Sequence, residues 1–288
     1  MPKLINLEGL DATGKHTVAI ELQKILKDCG SVCLTDFPVY DTPTGKMVKE
    51  FLNGNVIGDP KIVDGNIGSL YYTVDRITFF RQHLEELAKA DFIISDRSYL
   101  SNFIFQGSKL VPIKLCDTDM SGLASKYARE LSAFMDIQDI LELQMSGLAN
   151  ILSPRDIFSF YLYHKSIDTN MILMNKRNRE RDLNENKDYL VKVHEFAYSL
   201  MKILENTYST GYYTQMIAKH PAYFYTGIEC SDTDDSGKLI LFEPKEIASN
   251  ICDEIFTKNH DKKKYIYSVC CDSLNALYRL KAFTDINT

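Results

Sequence analysis

Short apolar runs and stretches of helical spacing alternate along the first part of the chain. Residues 3–7, KLINL, predict a strand, and residues 15–28 predict a helix because their apolar positions recur every three or four residues. A second strand is predicted in SVCLTDF, residues 31–37, which follows a glycine that ends the helix. Strand, helix and strand in this order are typical of a parallel sheet.

The same alternation continues through the middle of the chain. Residues 67–90 have helical spacing and lead into a buried strand, residues 92–94, that ends at Asp96. The runs IFSFYLY, residues 157–163, and AYFYTGI, residues 222–228, predict two more strands. Strands that alternate with helices predict an α/β fold of three layers, in which helices cover both faces of a parallel sheet.

Two segments fit this pattern less well. Residues 108–136 form a polar insert, predicted to be irregular, ahead of a helical run. Residues 259–288 contain the basic run KKK and continue with the spacing of an amphipathic helix. We therefore predict one large domain over residues 1–258 and a C-terminal helical extension over residues 259–288. Surface decoration and a dimer contact are the roles considered for both segments.

Composition and charge narrow the classes of partner. Apolar residues make up 45% of the chain and charged residues 25%, which is typical of a globular protein with a substantial core. The net charge of −6 argues against a general binder of nucleic acid or of membrane surfaces, since either needs a basic face. A small anionic ligand in a locally basic pocket remains compatible with this charge.

The number and spacing of the cysteines indicate the redox state of the cellular compartment. The seven cysteines are odd in number and lack C-x-x-C spacing, and the chain starts without an apolar signal-like segment. No apolar run approaches the roughly 18 residues that a membrane span needs. These features predict a reducing, cytoplasmic setting.

The run LEGLDATGKHT joins the first predicted strand to the first predicted helix. It follows the pattern G-x-x-x-x-G-K-[ST], in which backbone N–H groups approach phosphates, the lysine reaches the terminal phosphates and a hydroxyl ligates Mg²⁺. Gly9, Gly14 and Lys15 fit, whereas His16 occupies the hydroxyl position and Thr17 follows it. The strand–loop–helix setting favours a nucleotide site, because the helix N-terminus adds its dipole there.

A carboxylate and a guanidinium, Asp96 and Arg97, end the strand within ADFIISDRS. The carboxyl end of a strand in an α/β sheet is where ligands bind. The pair is either a surface ion pair or a carboxylate facing Mg²⁺ beside an arginine that binds phosphate. The motifs around the pair favour the second interpretation.

Four motifs in the same order make the chain resemble the thymidylate kinases, P-loop enzymes that transfer a phosphoryl group from ATP to dTMP. They are EGLDATGK (8–15), DFP (36–38), YYTVDR (71–76) and DRSYLSNFIFQG (96–107). The last is similar to the family's D-R-Y-x-x-S-x-x-x-Y-Q-G, with Ser98 and Phe105 replacing its tyrosines. A weaker match extends to about residue 205. The resemblance implies a P-loop kinase fold with a small helical lid at about residues 175–187.

The resemblance implies roles for residues around the phosphates. Asp11 is expected near the sugar 3′-hydroxyl and the acceptor phosphate, and Lys15 is expected to bridge the donor phosphates. Asp96 is expected to hold Mg²⁺, directly or through water, and Arg97 to bind the acceptor phosphate. Phosphoryl transfer depends chiefly on such positioning and charge neutralisation. The ATP-binding loop comprises Gly9, Leu10, Asp11, Ala12, Thr13, Gly14, Lys15, His16 and Thr17.

The acceptor base is assigned to a helix and the segment after Asp96. Tyr72 falls where the family keeps a phenylalanine that stacks on thymine, and Arg76, one helical turn later, is expected to hydrogen-bond the base edge. Ser101 and Gln106 are further candidates for base contacts. The alternative is that Tyr72 is a core aromatic residue and Arg76 a solvated charge.

The acceptor phosphate is assigned to the segment FPVYDT. Phe37 and Tyr40 are expected to line the acceptor site, and the family commonly has an arginine near the position of Tyr40. Because tyrosine brings no charge, the acceptor phosphate is expected to depend more heavily on Arg97.

The basic run KRNRERD, residues 176–182, is either a solvated charge run or the lid that closes over ATP in the family. Some members place a catalytic arginine in the phosphate loop, at the position of Ala12 here. The arginine is therefore expected from the lid, as Arg179 or Arg181, with Arg177 as the candidate for stacking on adenine.

The sequence thus predicts a kinase that transfers the γ-phosphoryl group of ATP to a deoxynucleoside monophosphate, with dTMP as the preferred acceptor and Mg²⁺ with ATP as the cofactor. A deoxynucleoside (thymidine) kinase is one alternative. The other alternative is a non-catalytic nucleotide-binding partner protein, in which His16 and Tyr40 reflect a loss of catalytic activity. The resemblance also implies a homodimer, with neither nucleic acid nor membrane as a partner.

Overall fold

A five-stranded parallel sheet forms the centre of the molecule. The computed structural model describes residues 1–111, 121–177, 182–205, 220, 223, 225–234 and 236–258. The strands stand in the order β2-β3-β1-β4-β5. Their bounds are β1 (Lys3–Glu8), β2 (Val32–Asp36), β3 (Phe92–Asp96), β4 (Ile157–Tyr163) and β5 (Thr226–Glu229).

Helices connect these strands and cover both faces of the sheet. The α-helices are α1 (Lys15–Leu26), α2 (Pro43–Leu52), α3 (Gly65–Leu87), α4 (Tyr99–Ser101), α5 (Ser121–Gln138), α6 (Ile167–Asn175), α7 (Lys187–Glu205) and α8 (Pro244–Asp253). Short α4 continues as a π-helical segment, Asn102–Gln106, and a 3-10 turn, Gly107–Lys109. Helix α5 continues as a π-helical segment, Asp139–Met145. The three-layer α/β arrangement predicted from the sequence is confirmed.

Each face of the sheet has its own apolar core, because successive strand residues point to opposite sides. Ile5 packs into the core beneath α1 and α8, with Leu22 and Ile251. Leu4 packs into the opposite core, with Phe103 and other residues of the π-helical segment and α7. Burial of both faces explains why the strands read as continuous apolar runs.

Side-chain caps fix where two of the helices begin. Thr42 precedes α2, and its hydroxyl accepts a hydrogen bond from the amide of Gly45 at 3.0 Å. Asp64 precedes α3, and its carboxylate accepts from the amide of Asn66 at 2.9 Å. Such caps satisfy amides that have no partner inside the helix. The beginning of α3 matters for function because this helix carries the YYTVDR motif.

The structure corrects two boundaries. The insert predicted to be irregular over residues 108–136 is helical from Ser121 onward, where α5 begins. The strand predicted over residues 222–228 is observed as Thr226–Glu229, and residues 222 and 224 lie outside the described part of the chain. The whole extension over residues 259–288 also lies outside it.

The carboxyl ends of three neighbouring strands lie side by side. Leu7 of β1 is in register with Asp96 of β3, and Asp36 of β2 is in register with the same residue. The phosphate loop after β1 and the arginine after β3 are therefore neighbours.

A short antiparallel ribbon, β6 (Ser231–Thr233) and β7 (Leu239–Leu241), follows β5. No helix in the described ranges has the length and apolar character that crossing a bilayer requires.

Candidate active site

The phosphate loop has a backbone conformation that its sequence explains. Gly9 and Gly14 have φ of 143° and 83°, values that side-chain-bearing residues rarely adopt. A Cβ on Gly9 would also overlap the carbonyl oxygen of Leu162 in β4. Ala12 has φ of 67° without being glycine, a conformation that the surrounding contacts must hold.

Lys15 lies inside the curve of this loop. Its side chain is buried, and Nζ donates to the carbonyl oxygen of Leu10 at 2.9 Å. The Thr13 hydroxyl donates to the same oxygen, also at 2.9 Å. Burial lowers the pKa of Lys15 to about 8, with Arg97 acting in the same direction and nearby carboxylates opposing it. The ammonium is thus held at the place where anionic oxygens are expected to bind.

Residues after β4 support the loop from behind, and sequence reasoning missed them. Asn170 Nδ2 donates to the carbonyl oxygen of Asp11 at 2.8 Å. His164 places Nε2 3.4 Å from the Ala12 carbonyl oxygen and Nδ1 2.8 Å from the Ser231 hydroxyl. Burial lowers the pKa of His164, which favours a neutral imidazole. His164 directly follows β4 and Asn170 lies in α6, and only their position beyond the carboxyl end of this strand could have indicated the role.

Arg97 stands between the carboxylates of the strand ends. Its Nη2 lies 2.8 Å from Asp11 Oδ1, and the guanidinium lies over the Phe105 ring at 5.4 Å from its centroid. Burial alone would lower the pKa of Arg97, but Asp11, Asp96 and Glu8 together raise it. Its φ of 69° is unusual for a non-glycine residue, and such outliers concentrate at functional sites.

Glu8 is a third residue that sequence reasoning left without a role. Its carboxylate accepts from the Ser98 amide at 2.7 Å, from the Ser98 hydroxyl at 2.8 Å and from the Ser101 hydroxyl. Burial raises the pKa of Glu8, although these hydrogen bonds and Arg97 oppose the rise. The Ser101 hydroxyl, predicted to face the base, therefore donates to Glu8 in this structure.

His16 lies at the mouth of the loop beside two carboxylates. Its Nδ1 is 3.4 Å from Asp96 Oδ2 and 3.9 Å from Asp36 Oδ2. Ligand atoms of the three residues all lie within 4.8 Å of one another. Burial and the Asp96 charge raise the pKa of Asp36. The two carboxylates offer oxygen ligands that suit Mg²⁺, whereas imidazole nitrogen suits it poorly.

A cavity adjoins the loop and brings together all eight residues predicted to bind the acceptor. The empty space amounts to about 870 Å³, part of it open to solvent. Its walls include Asp11, Phe37, Tyr40, Tyr72, Arg76, Arg97, Ser101 and Gln106. Asp36, Asn102, Phe105, Asp182 and Asn184 also line it. Residues separated by up to 173 positions in the sequence thus form one site.

The far end of the cavity carries the base-recognition candidates. Tyr72 packs edge-on against Phe51, with ring centroids 6.0 Å apart, and burial raises the pKa of its phenol. Arg76 is 2% exposed and forms an ion pair with Glu142, Nη2 to Oε1 being 2.7 Å. The alternative of a solvated Arg76 is wrong, because this side chain is buried and paired with Glu142. Tyr72 is partly buried, in agreement with its alternative, and it also lines the cavity.

The segment that carries Phe37 and Tyr40 is tied to α3 by a buried carboxylate. Asp75 accepts from the Val39 amide at 2.9 Å and from the Thr44 hydroxyl at 2.8 Å. Because α3 also carries Tyr72 and Arg76, this contact fixes one wall of the cavity relative to another. Tyr40 is 45% exposed, so the acceptor site opens to solvent on this side.

The predicted lid is described only in part. Arg177 is exposed at the end of α6. Arg179 and Arg181 lie outside the residues that the structure describes, so their predicted role stays a prediction. Asp182 and Asn184, which follow them, line the cavity.

Comparisons with known proteins agree with this geometry. Residues 7–118 match the family model for thymidylate kinase. A probable thymidylate kinase from Pyrobaculum calidifontis is 30% identical over 111 residues, which are 38% of this chain and 53% of that protein. The chain thus spans about half the length of this relative. A probable thymidylate kinase from Thermococcus kodakarensis is 29% identical over 170 residues, 54% of this chain and 73% of that protein.

The fold is also shared with a solved structure. Thymidylate kinase from Candida albicans superposes with a TM-score of 0.50 at 18% identity, covering 89% of this chain and 92% of that one. At this identity the similarity concerns the fold alone. The family-model match over residues 7–118 and the related sequences make the chain similar to thymidylate kinases, and the shared fold agrees with this similarity.

Proposed function

We propose that the protein transfers the γ-phosphoryl group of ATP to the 5′-phosphate of dTMP, giving dTDP and ADP. The observation that carries this proposal is a single cavity beside the phosphate loop, with Arg97 and Asp11 at its near end and Tyr72 and Arg76 at its far end. A nucleoside monophosphate fits this arrangement, because its phosphate can face the loop while its base reaches α3.

The reaction needs no covalent intermediate on the protein. An oxygen of the acceptor phosphate forms a bond to the γ-phosphorus of ATP, and the bond to the β–γ bridging oxygen breaks. Lys15 neutralises charge on the transferring group, and Arg97 orients the acceptor phosphate. Asp11 holds Arg97 through the 2.8 Å ion pair, and we expect its carboxylate to accept a hydrogen bond from the sugar hydroxyl.

Mg²⁺ is the proposed cofactor, bound together with ATP. Asp96 and Asp36 offer oxygen ligands at the strand ends and would hold the ion directly or through water. The ion would supply neutralisation of phosphate charge. His16 does not fit as a magnesium ligand, and we expect it to donate a hydrogen bond to a phosphate oxygen instead.

A homodimer is the proposed assembly. Helix α3 exposes three apolar residues on one face, Ile67, Leu70 and Val74, which are spaced by three and four positions. Each is at least 45% exposed, and a second copy of the chain would cover them.

The cysteines at 29, 33, 230 and 252 are free thiols, which is consistent with a reducing cytoplasmic setting.

One assay tests the function. ADP formation is measured with ATP and Mg²⁺ in the presence of dTMP, dUMP, thymidine or each other nucleoside monophosphate. We expect dTMP to give the highest kcat/KM. Turnover with thymidine but not with dTMP would make the chain a nucleoside kinase. No ADP formation with any acceptor, together with measurable ATP binding, would make it a non-catalytic nucleotide-binding protein.

A further inference from the structure

A buried carboxylate stands behind the base-binding end of the cavity. Glu142 belongs to the π-helical segment after α5 and is 1% exposed. It accepts from Arg76 Nε at 3.0 and 3.1 Å and from Arg76 Nη2 at 2.7 Å. These bonds use the Nε–H and one Nη2–H on one side of the guanidinium and leave the N–H groups on the other side, those of Nη1 among them, to donate to a ligand in the cavity. Glu142 lies outside residues 7–118, which match the family model.

The same carboxylate fixes the orientation of Asn102. The Asn102 amide nitrogen lies within hydrogen-bond distance of acceptors that share its two hydrogens: Glu142 Oε1 at 3.2 Å, the Ser69 carbonyl oxygen at 3.2 Å and Gln138 Oε1 at 2.9 Å. Since a carboxylate and a carbonyl only accept, the amide nitrogen must face this cluster. Asn102 also lines the cavity, so its amide oxygen is the atom left to accept from a ligand.

Thr73 joins the two halves of this network. Its hydroxyl donates to Glu142 Oε1 at 2.7 Å and accepts from the Asn102 amide nitrogen at 2.9 Å. Because the Glu142 oxygen can only accept, the direction of the Thr73 hydroxyl is determined, and Asn102 cannot turn its oxygen inward without facing acceptors.

We propose that Glu142 is a positioning residue that sets the hydrogen-bonding pattern of the acceptor cavity to one donor from Arg76 beside one acceptor from Asn102. This pattern matches a pyrimidine with a carbonyl at C4 and a proton on N3, and it mismatches cytosine, which has an amino group at C4 and an unprotonated N3. The proposal rests on the proposed function and adds the residue, buried behind the wall, that determines base discrimination.

The test measures nucleotide binding rather than turnover. Dissociation constants for dTMP and dCMP are obtained by calorimetry for the wild-type protein and for Glu142→Gln, which keeps the shape and removes the charge. We expect the ratio of the dCMP constant to the dTMP constant to fall at least about tenfold in Glu142→Gln, equivalent to about 1.4 kcal/mol. An equal loss of affinity for both nucleotides, leaving the ratio unchanged, would show that Glu142 is merely structural.

Thr73 provides a matched pair if Glu142→Gln fails to fold. Thr73→Val removes the hydroxyl and keeps the shape, whereas Thr73→Ser keeps the hydroxyl. The ratio should fall in Thr73→Val and stay at the wild-type value in Thr73→Ser, and equal ratios in both would overturn the proposal. If the wild-type protein binds dTMP without preferring it to dCMP, the proposal fails while the proposed function stands. If the wild-type protein binds neither nucleotide, both fail.

Discussion

Lys15 is the residue most directly tied to phosphate chemistry, because its ammonium is buried inside the phosphate loop beside Arg97. Lys15→Ala should lower kcat about 100- to 1,000-fold, the usual effect of removing one group that stabilises transition-state charge. The fold should remain, since Nζ makes its hydrogen bond to a single backbone oxygen. Steady-state kinetics and circular dichroism check both points. A folded variant with the wild-type rate would contradict the assignment of this loop.

The pKa of Lys15 gives a pH dependence. Burial lowers this pKa to about 8, so in the free protein the ammonium loses its proton as the pH rises through this value. We expect kcat/KM for ATP to fall above about pH 8, because the neutral amine no longer attracts phosphate. Bound ATP raises the pKa of the ammonium, so kcat should fall only at higher pH. If kcat and kcat/KM fall at the same pH, this expectation is contradicted.

His16 predicts an unusual metal requirement. Its imidazole stands where a hydroxyl ligand is expected, and the helix rotates Thr17 by about 100° away from that position. His16→Ser should therefore lower the Mg²⁺ concentration that gives half-maximal rate. In the wild-type protein, Mn²⁺ should act at lower concentration than Mg²⁺, because it tolerates nitrogen ligands better. Superimposed Mg²⁺ and Mn²⁺ curves would show that His16 does not influence the metal.

His83→Ser is the control for this measurement. His83 is also partly exposed, but it lies on α3 beside Glu86, on a different element from the phosphate loop. Its replacement should leave the Mg²⁺ requirement unchanged. Restoration of activity by His16→Ser in an otherwise inactive protein would support the non-catalytic alternative for the wild-type chain.

At the scale of elements, helix α3 shows what could be predicted from the sequence. Helical spacing placed Tyr72 and Arg76 one turn apart on the same face, and both line the cavity. The partner of Arg76 could not be predicted, because Glu142 lies 66 positions away on a π-helical segment. Long-range pairing of charges depends on how elements pack, which local periodicity does not encode.

The lid is the element from which a catalytic arginine is expected. Because Ala12 leaves the phosphate loop without an arginine, the combined replacement Arg179→Ala and Arg181→Ala should lower kcat strongly while changing the KM for the acceptor little. Such a change indicates a contact made mainly in the transition state. Lys176→Ala, which removes a charge at the end of α6, is the control and should have a small effect. A wild-type kcat in the double variant would contradict this expectation.

At the scale of the whole molecule, the alternation of strands and helices predicted the parallel sheet. It did not predict the order of the strands, and β1 stands between β3 and β4 rather than beside β2. It also missed that Glu8, Asn170 and His164 support the two loops of the site. Glu8 and His164 are buried at strand ends and Asn170 is buried in α6, and their surroundings, not their spacing, determine their role.

The exposed face of α3 predicts the state of assembly. Leu70→Glu places a charge in the centre of the apolar face formed with Ile67 and Val74, so it should convert a dimer to a monomer. Sedimentation velocity measures the change. Ile172→Glu, at an equally exposed apolar residue on α6, is the control and should leave the dimer intact. If the Leu70→Glu variant and the Ile172→Glu variant both remain dimers, the assignment of this face is contradicted.

The central position of β1 has a consequence for synthesis on the ribosome. β1 precedes both of the strands with which it pairs, β3 and β4, which end at Asp96 and Tyr163. A nascent chain that ends before Leu162 lacks a complete β4 and the Leu162 carbonyl against which Gly9 packs, and one that ends before Asp96 also lacks a complete β3. The phosphate loop therefore acquires its shape only after β3 and β4 have also been translated, although it precedes both of them in the chain.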